Sequence, residues 1–434
     1  GNMNKLSNAY TVGVILILLV YLAIGMLYAV NTPAWQAPDE PAHYNYIKHI
    51  AETGSLPILD LGDYDQKYIS ELLQYGFPSH MSIDLLRYEA HQPPLYYLLA
   101  TPIFVVFDGS LLALRLFSLV LGACVIVLSA MAINLIFPGK LPITLSVSGF
   151  IAFLPQHLAM MSSVNNDSMA EACMILGLWL IMRRTKPWVI GIVVGIAFLT
   201  KATVYVLAIV AIVAAIHRIQ EREVKLSYLL QLLVPAMFIG AAWWLRNILV
   251  YGWPDFLGLI NHSEVVVGQP RTFDWLEKFG MLGLSWRFMQ TTFNSFWGQF
   301  GWMAIPMKPI VLRLLTILLI IIVIGNYLLL RFRILNSSID KLYRLVILYT
   351  LLIVIVQYIQ YNVEFVQHQG RYLFPALLPF ALFYVAGLLG WARYLENCWP
   401  NYKHVWYWLP VAYIPTMVIL SVYALYYSII PAFT

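Results

Sequence analysis

Apolar runs long enough to cross a bilayer recur along the chain from residue 9 to residue 430, and no other feature limits its fold so severely. About 20 apolar residues span the hydrocarbon core. Eleven runs are read, at 9–30, 110–136, 142–161, 168–183, 187–200, 202–217, 227–249, 309–331, 343–361, 373–391 and 405–430. A backbone in lipid must satisfy its polar groups within each segment, so helices are expected and open sheets are not. Composition agrees: 61% of the 434 residues are hydrophobic and 11% are charged, where a soluble domain carries about 25% charged residues. The expected class is an all-α polytopic membrane protein, treated as one membrane domain over residues 1–434 because no repeat, low-complexity run or linker divides it. The opening "GNM" resembles a tag remnant ahead of Met3. The first run is too long for a signal-peptide core and has no clear cleavage site, so it reads as a retained helix. Cys124, Cys173 and Cys398 are scattered and suggest neither a disulfide framework nor a zinc motif.

Basic residues set the orientation. The loops on one side carry 13 bases, among them Lys140, Arg184, Arg222, Lys225, Arg333, Arg393 and Lys403, against four acids. Those loops are expected in the cytoplasm. Residues 31–109, the 162–167 turn, residues 250–308 and the turn near 362–372 then lie outside. The segment "PPLYYLLATPIFVVF" (93–107) is short for a crossing, and spanning would invert every later loop; it is expected to be an interfacial or re-entrant helix. The net charge of +5 hides an asymmetry. Residues 31–92 hold nine acids and three bases, a local charge of −6 that argues against nucleic acid as a partner.

An outer loop of this length is expected to be folded and functional. Within it, "DEPAHYNYIKHIAETG" reads as a short helix with Asp39 at the N-cap, Pro41 in the first turn and Gly54 at the stop. Capping alone would explain Asp39, and the helix dipole would explain Glu40. A carboxylate at a helix N-terminus is also kept charged, and so remains available as a base. Further polar groups share that side: Glu89 and His91 in "YEAHQPPLYY", Asp167 before an apolar helix, Lys201 between two runs, Arg246 at the outer end of the seventh run, and Glu364, His368 and Arg371 before the tenth. Each has a bland reading as a cap, an interfacial histidine or a snorkelling cation. Together they place acids and cations at one membrane surface, a combination suited to an anionic lipid headgroup and a hydroxyl nucleophile.

The ordered set "APDEPAHY", "HQPPLYY", "ALRLFS", "LPQHLAMMSSVNND", "FLTKAT", "WWLRNILVYGWP" and "QGRYLFP" resembles the GT-C superfamily of integral-membrane glycosyltransferases. More narrowly, it is similar to bacterial members related to protein mannosyltransferases and aminoarabinose transferases. The resemblance runs from about residue 9 to residue 391 and implies a GT-C fold of about 11 transmembrane helices, with interfacial helices in the first outer loop. It implies catalysis at the outer face of a bacterial inner membrane, a polyprenyl-phosphate-linked sugar as donor, and a glycan, lipid or protein as acceptor. Carried over by position, Asp39 is the general base, Glu40 orients the acceptor or Asp39, and Asp167 is the second-loop acid. Lys201 and Arg371 hold the donor phosphate, with Arg246 a weaker candidate, and His43, His91, His368 and Tyr372 complete the expected substrate-binding set. Asp39, His43, His91 and Asp167 could also contribute ligands to a divalent cation, although no tight spacing demands a metal. The chain ends in "SIIPAFT" soon after the last run, so acceptor recognition is expected to rest on 31–109 and 250–308. The implied reaction is a single displacement that inverts the anomeric centre. The alternatives are a transporter or flippase of a lipid-linked glycan, for which an inverted repeat would be expected, and a related glycan ligase or polymerase.

Overall fold

The computed structural model describes residues 2–331 and 339–434; Arg333, counted above among the cytoplasmic bases, lies outside the described residues. The chain is helical almost throughout. Helix α1 (Asn2–Asn31) crosses first. The first outer loop folds into α2 (Glu40–Thr53), α3 (Gln66–Gln74) and α4 (Leu95–Val106). Helices α5 (Leu111–Ile136), α6 (Leu141–Phe153), α7 (Pro155–Met161), α8 (Asp167–Met182) and α9 (Pro187–Phe198) follow. A 3-10 turn at Ala202–Val204 leads into α10 (Val206–Gln220), and α11 spans Ser227–Tyr251. The second outer loop holds α12 (Leu259–Val265), α13 (Thr272–Gly298) and a two-stranded hairpin, β1 (Gln299–Phe300) with β2 (Ile305–Pro306). Then come α14 (Pro309–Arg331), α15 (Lys341–Glu364), a 3-10 turn at Gly370–Ala376, α16 (Leu377–Cys398), the short α17 (Lys403–Tyr407), α18 (Tyr413–Ala424), a π-helical turn at Leu425–Ile429, and α19 (Ile430–Phe433).

All eleven apolar runs are mostly helical, but their lengths divide them. Among the described residues, eight helices are long and apolar enough to cross a membrane, or nine if α6 and α7, bent by 64° at Pro155, form one broken span. Helices α8, with 16 residues, and α9, with 12, fall short of that standard. Pro155 explains the break, since it removes a backbone donor and its ring clashes with the preceding turn. Helix α4 covers the segment expected to lie at the interface. Its 12 residues extend only roughly 18 Å, well short of the hydrocarbon core, and Leu98, Leu99, Val105 and Val106 on it are exposed.

Side-chain pairing tests the expected sidedness from within. At the end assigned to the cytoplasm, Arg184 donates to Glu223 at 3.0 Å and to Asp340 at 2.8 Å, and Arg218 donates to Glu223 at 2.9 Å. Three of the basic loops therefore meet at one end of the bundle. Close helix contact comes from small residues: a methyl group on Gly325 of α14 would collide with the Gly387 carbonyl oxygen of α16, the close approach that small residues permit in membranes. The core is continuous from Tyr21 through Phe150 to Trp297, all fully buried.

Candidate active site at one end of the bundle

Helix α2 has the expected anatomy with one exception. Pro41 lies in its first turn, and Gly54, with φ 67°, ends it by donating its N–H to the Ile50 carbonyl at 2.8 Å. Ala42, Tyr46, Ile47 and Ile50 are buried, as their shared face requires. Asp39 occupies the N-cap position, but its side chain makes no capping hydrogen bond. The expected cap is therefore corrected. Its backbone is left-handed, at φ 60° and ψ 4°, a conformation that costs most L-residues roughly 1–2 kcal/mol and that Asp tolerates better than most. That turn aims the carboxylate away from the helix. Tyr88 donates its hydroxyl to Asp39 Oδ1 at 2.8 Å, and Arg371 donates Nη2 to Oδ2 at 3.1 Å.

A second ion pair lies beside the first. Lys201 Nζ binds Asp167 Oδ1 at 2.6 Å. Asp167 opens α8, where its N–H is held by Asn165 Oδ1 at 2.9 Å; Lys201 sits in the extended break after α9. In both pairs the acid is the more exposed partner: 26% for Asp39 against 10% for Arg371, and 27% for Asp167 against 13% for Lys201. The cations thus lie deeper than the carboxylates, which face outward. Arg371 is fixed further by Gln369 Oε1 at 2.7 Å, and its guanidinium lies 5.2 Å over the Tyr372 ring.

His43 and Glu89 complete the charged cluster. His43 Nδ1 is 2.7 Å from the Tyr97 hydroxyl of α4, so the interfacial helix helps to orient it. Burial pushes His43 below the usual histidine range despite the nearby Glu89, Asp39 and Asp167 carboxylates. Burial likewise raises Glu89, which accepts from Gln92 at 2.8 Å. Asp39 goes the other way. Burial would raise it, but Arg371 above all, with His43 and the Tyr88 hydroxyl, holds it below the ordinary carboxylate range. Lys201 is held above its usual value, because the Asp167 carboxylate outweighs the cost of burying the ammonium.

The remaining expected residues fall elsewhere. Glu40 is fully buried and faces away from this cluster. Arg115 of α5 grips it twice, at 3.0 and 2.6 Å, and the Val164 and Trp35 N–H groups fill its remaining acceptor positions at 3.0 and 3.3 Å. Arg115 also donates to the carbonyls of Ala29, Thr32 and Pro33. Glu40 therefore pins the loop before α2 to α5 and to the second outer turn. Arg246 is used in a similar way: it donates to the Pro57 carbonyl at 2.8 Å and stacks on Trp243, tying the first outer loop to α11. His368 packs edge-on against Trp275 and Phe288. His91 lies 3.0 Å from the Tyr88 carbonyl and 4.0 Å, ring to ring, from His262. Arg115, Tyr88 and Tyr97 are the positioning groups that sequence reasoning did not single out. Arg115 carried a readable signal, since a charge inside an apolar helix needs a partner.

The donor set does not fit a divalent cation in this arrangement. Asp39 and Asp167 are each neutralised by a cation, and His43 Nδ1 is engaged by Tyr97. Among the described residues no three His, Cys, Asp or Glu side chains gather as ligands.

Solved structures with the same arrangement of helices identify the fold. ArnT from Cupriavidus metallidurans, bound to undecaprenyl phosphate, superposes with a TM-score of 0.51 at 14% identity over 97% of this chain and 73% of that one. The Archaeoglobus fulgidus oligosaccharyltransferase in complex with Zn and sulfate gives 0.54 at 14% identity, over 95% of this chain and 53% of that one. The same organism's oligosaccharyltransferase AglB, in complex with an inhibitory peptide and a dolichol-phosphate, gives 0.53 at 12% identity, over 96% and 56%. The chain spans little more than half the length of those two oligosaccharyltransferase chains. This is an integral membrane protein of the GT-C fold. Within that class it belongs to the family described as "Predicted membrane protein (DUF2142)", whose profile matches residues 87–379. No curated protein matches it in sequence.

Proposed function

We propose that this chain is a membrane glycosyltransferase that moves a sugar from a polyprenyl-phosphate-linked donor to an acceptor hydroxyl at the outer face of a bacterial inner membrane. The observation that carries this reading is the adjoining pair of ion pairs, Asp39–Arg371 and Asp167–Lys201. Two cations near the membrane surface suit a lipid phosphate: Arg371 offers a planar fork, and Lys201 a point charge. The acids beside them suit proton removal from a hydroxyl. The undecaprenyl phosphate bound to ArnT and the dolichol-phosphate bound to AglB support a lipid of that kind as the donor's carrier.

In this reading the donor phosphate competes with Asp39 for Arg371. As the guanidinium turns to the phosphate, Asp39 loses the charge that most depresses its proton affinity and becomes a stronger base. The acceptor oxygen then attacks the anomeric carbon as Asp39 takes its proton. The bond from that carbon to the phosphate oxygen breaks, the lipid phosphate leaves with the electron pair, and the sugar's configuration inverts. Asp167 holds Lys201 toward the leaving phosphate. Glu40 and Arg115 act as positioning residues that fix the turn bearing Asp39. The whole chain, residues 1–434, works as one unit, with 31–109 and 250–308 supplying the acceptor side.

The test is transfer of radiolabelled sugar from lipid-linked donors in proteoliposomes, across a panel of sugars and acceptors. Wild-type protein is expected to form a glycosidic bond, and D39N to lose about 10²–10⁴-fold in rate. Normal transfer by D39N would remove the base role. Movement of intact lipid-linked glycan between leaflets, without a new bond, would favour a flippase.

A further inference from the structure

A cavity of about 360 Å³ lies at the end of the bundle opposite the ion pairs. It opens between the α5–α6 turn, α16 and the segment around α17, among the loops that carry the cytoplasmic excess of bases. Phe137, Ile143, Leu389 and Tyr407 line it together with Lys140 and Arg393. Its volume falls within the usual range for small-molecule sites, roughly 300–1,000 Å³.

The charge around it is unbalanced. Arg393 Nη1 lies 3.0 Å from Glu396, and Lys403 reaches the other oxygen of the same carboxylate at 3.5 Å. Lys140 is exposed and has no carboxylate partner among the described residues. Two cations, Lys140 and Arg393, thus line the cavity with no acid among its lining residues, beside a largely apolar wall. A soluble anion would use the cations and gain nothing from the wall. An amphiphile with a charged phosphate and hydrocarbon tails would use both. Basic pockets between transmembrane helices on the cytoplasmic side are suited to anionic headgroups.

We propose that this cavity binds an anionic phospholipid of the inner leaflet, its phosphate between Lys140 and Arg393 and its acyl chains along Ile143 and Leu389. The site is separate from the outer ion pairs and does not depend on the reaction assigned to them.

Native mass spectrometry of the purified full chain, exchanged into micelles with equal amounts of phosphatidylglycerol and phosphatidylcholine, tests it. One phosphatidylglycerol is expected to be retained preferentially. K140A/R393A is expected to bind it roughly thirtyfold more weakly, since each cation near an anionic lipid phosphate contributes about fivefold. I143W, which fills the cavity and keeps both cations, should also lose the retained lipid. The control pair K186A/K225A removes two bases on the same side that do not line the cavity and should bind as the wild type does. Melting curves and elution profiles matching the wild type establish that each variant is folded. Equal retention of phosphatidylcholine, unchanged binding by K140A/R393A or I143W, or an equal loss in the control pair would overturn the assignment.

Discussion

Arg371 Nη2 donates to Asp39 Oδ2 at 3.1 Å although 332 positions separate the two residues. The contact joins the loop after the first helix to the start of a late one, and it sets the charge state of the proposed base. Because the folded Asp39 pKa is depressed, its contribution to stability is present above the unfolded value near 4 and is lost as pH falls through the folded value.

The activity prediction follows from the same contact. In the free protein the acid limb of kcat/KM reports the unliganded base, and it should lie below the ordinary carboxylate range. R371A removes the main depressing charge and leaves burial opposed only by His43 and the Tyr88 hydroxyl, so the limb should move upward as the rate falls. Initial rates in proteoliposomes between about pH 3 and pH 8 measure this, with the wild type still active near pH 4 where R371A is already falling. Burial lowers His43, so any limb it adds should lie below its usual value of about 6.5. An acid limb in R371A at its wild-type position would mean that another group titrates.

The Glu40–Arg115 pair should behave as structure. Both side chains are almost fully buried, at 0% and 4% exposure, and removing one partner of such a pair costs about 3–5 kcal/mol. R115A and E40A should therefore lower the unfolding temperature in detergent far more than D39N does. R115K should recover only part of the loss, because a lysine cannot reproduce the paired contacts of the guanidinium. If E40A melted like the wild type yet transferred no sugar, Glu40 would belong to the chemistry.

Adjacency in sequence misleads for these two acids. "DE" reads as one catalytic pair, yet a left-handed turn at Asp39 sends its carboxylate to Arg371, while Glu40 turns inward to Arg115. The helices were legible because apolar length and basic loops are local patterns. That these acids and cations share one end of the bundle was legible because topology follows from those loops. The pairing was not, since partners 75 and 332 positions apart leave no local trace. His368 and Arg246 show the same limit: both lie on the expected side, but packing commits one to an aromatic cage and the other to a loop carbonyl. The shortfall of α8 and α9 reflects where the chain breaks, at Asn165–Asn166 and Thr200–Lys201, to bring Asp167 and Lys201 together.

Glu89 offers a test with the opposite sign. Burial raises its folded pKa, so its stability contribution is fully present below the unfolded value near 4.3 and is lost as pH rises through the folded value. E89Q mimics the protonated form. It should unfold at a higher temperature than the wild type at neutral pH, by an amount that shrinks as pH is lowered toward 4.3. Thermal unfolding of both proteins across that range provides the measurement. A gain independent of pH would mean that the carboxyl is not titrating differently in the folded state.

Sidedness can be tested independently of catalysis. Ser70 lies exposed on α3 in the first outer loop, and Lys225 is exposed between α10 and α11, near the Arg218–Glu223 pair. Cys124 and Cys398 are exposed and Cys173 is buried, so C124S/C398S provides the background for labelling. In intact cells a membrane-impermeant maleimide should modify S70C and leave K225C unmodified until the membrane is permeabilised. The ion pairs place Asp39, Asp167, Lys201 and Arg371 at a common end, and α3 belongs to the same outer loop as Asp39. Labelling of S70C therefore reports on the whole site. Modification of K225C but not S70C in intact cells would turn the site toward the cytoplasm, and with it the donor's leaflet.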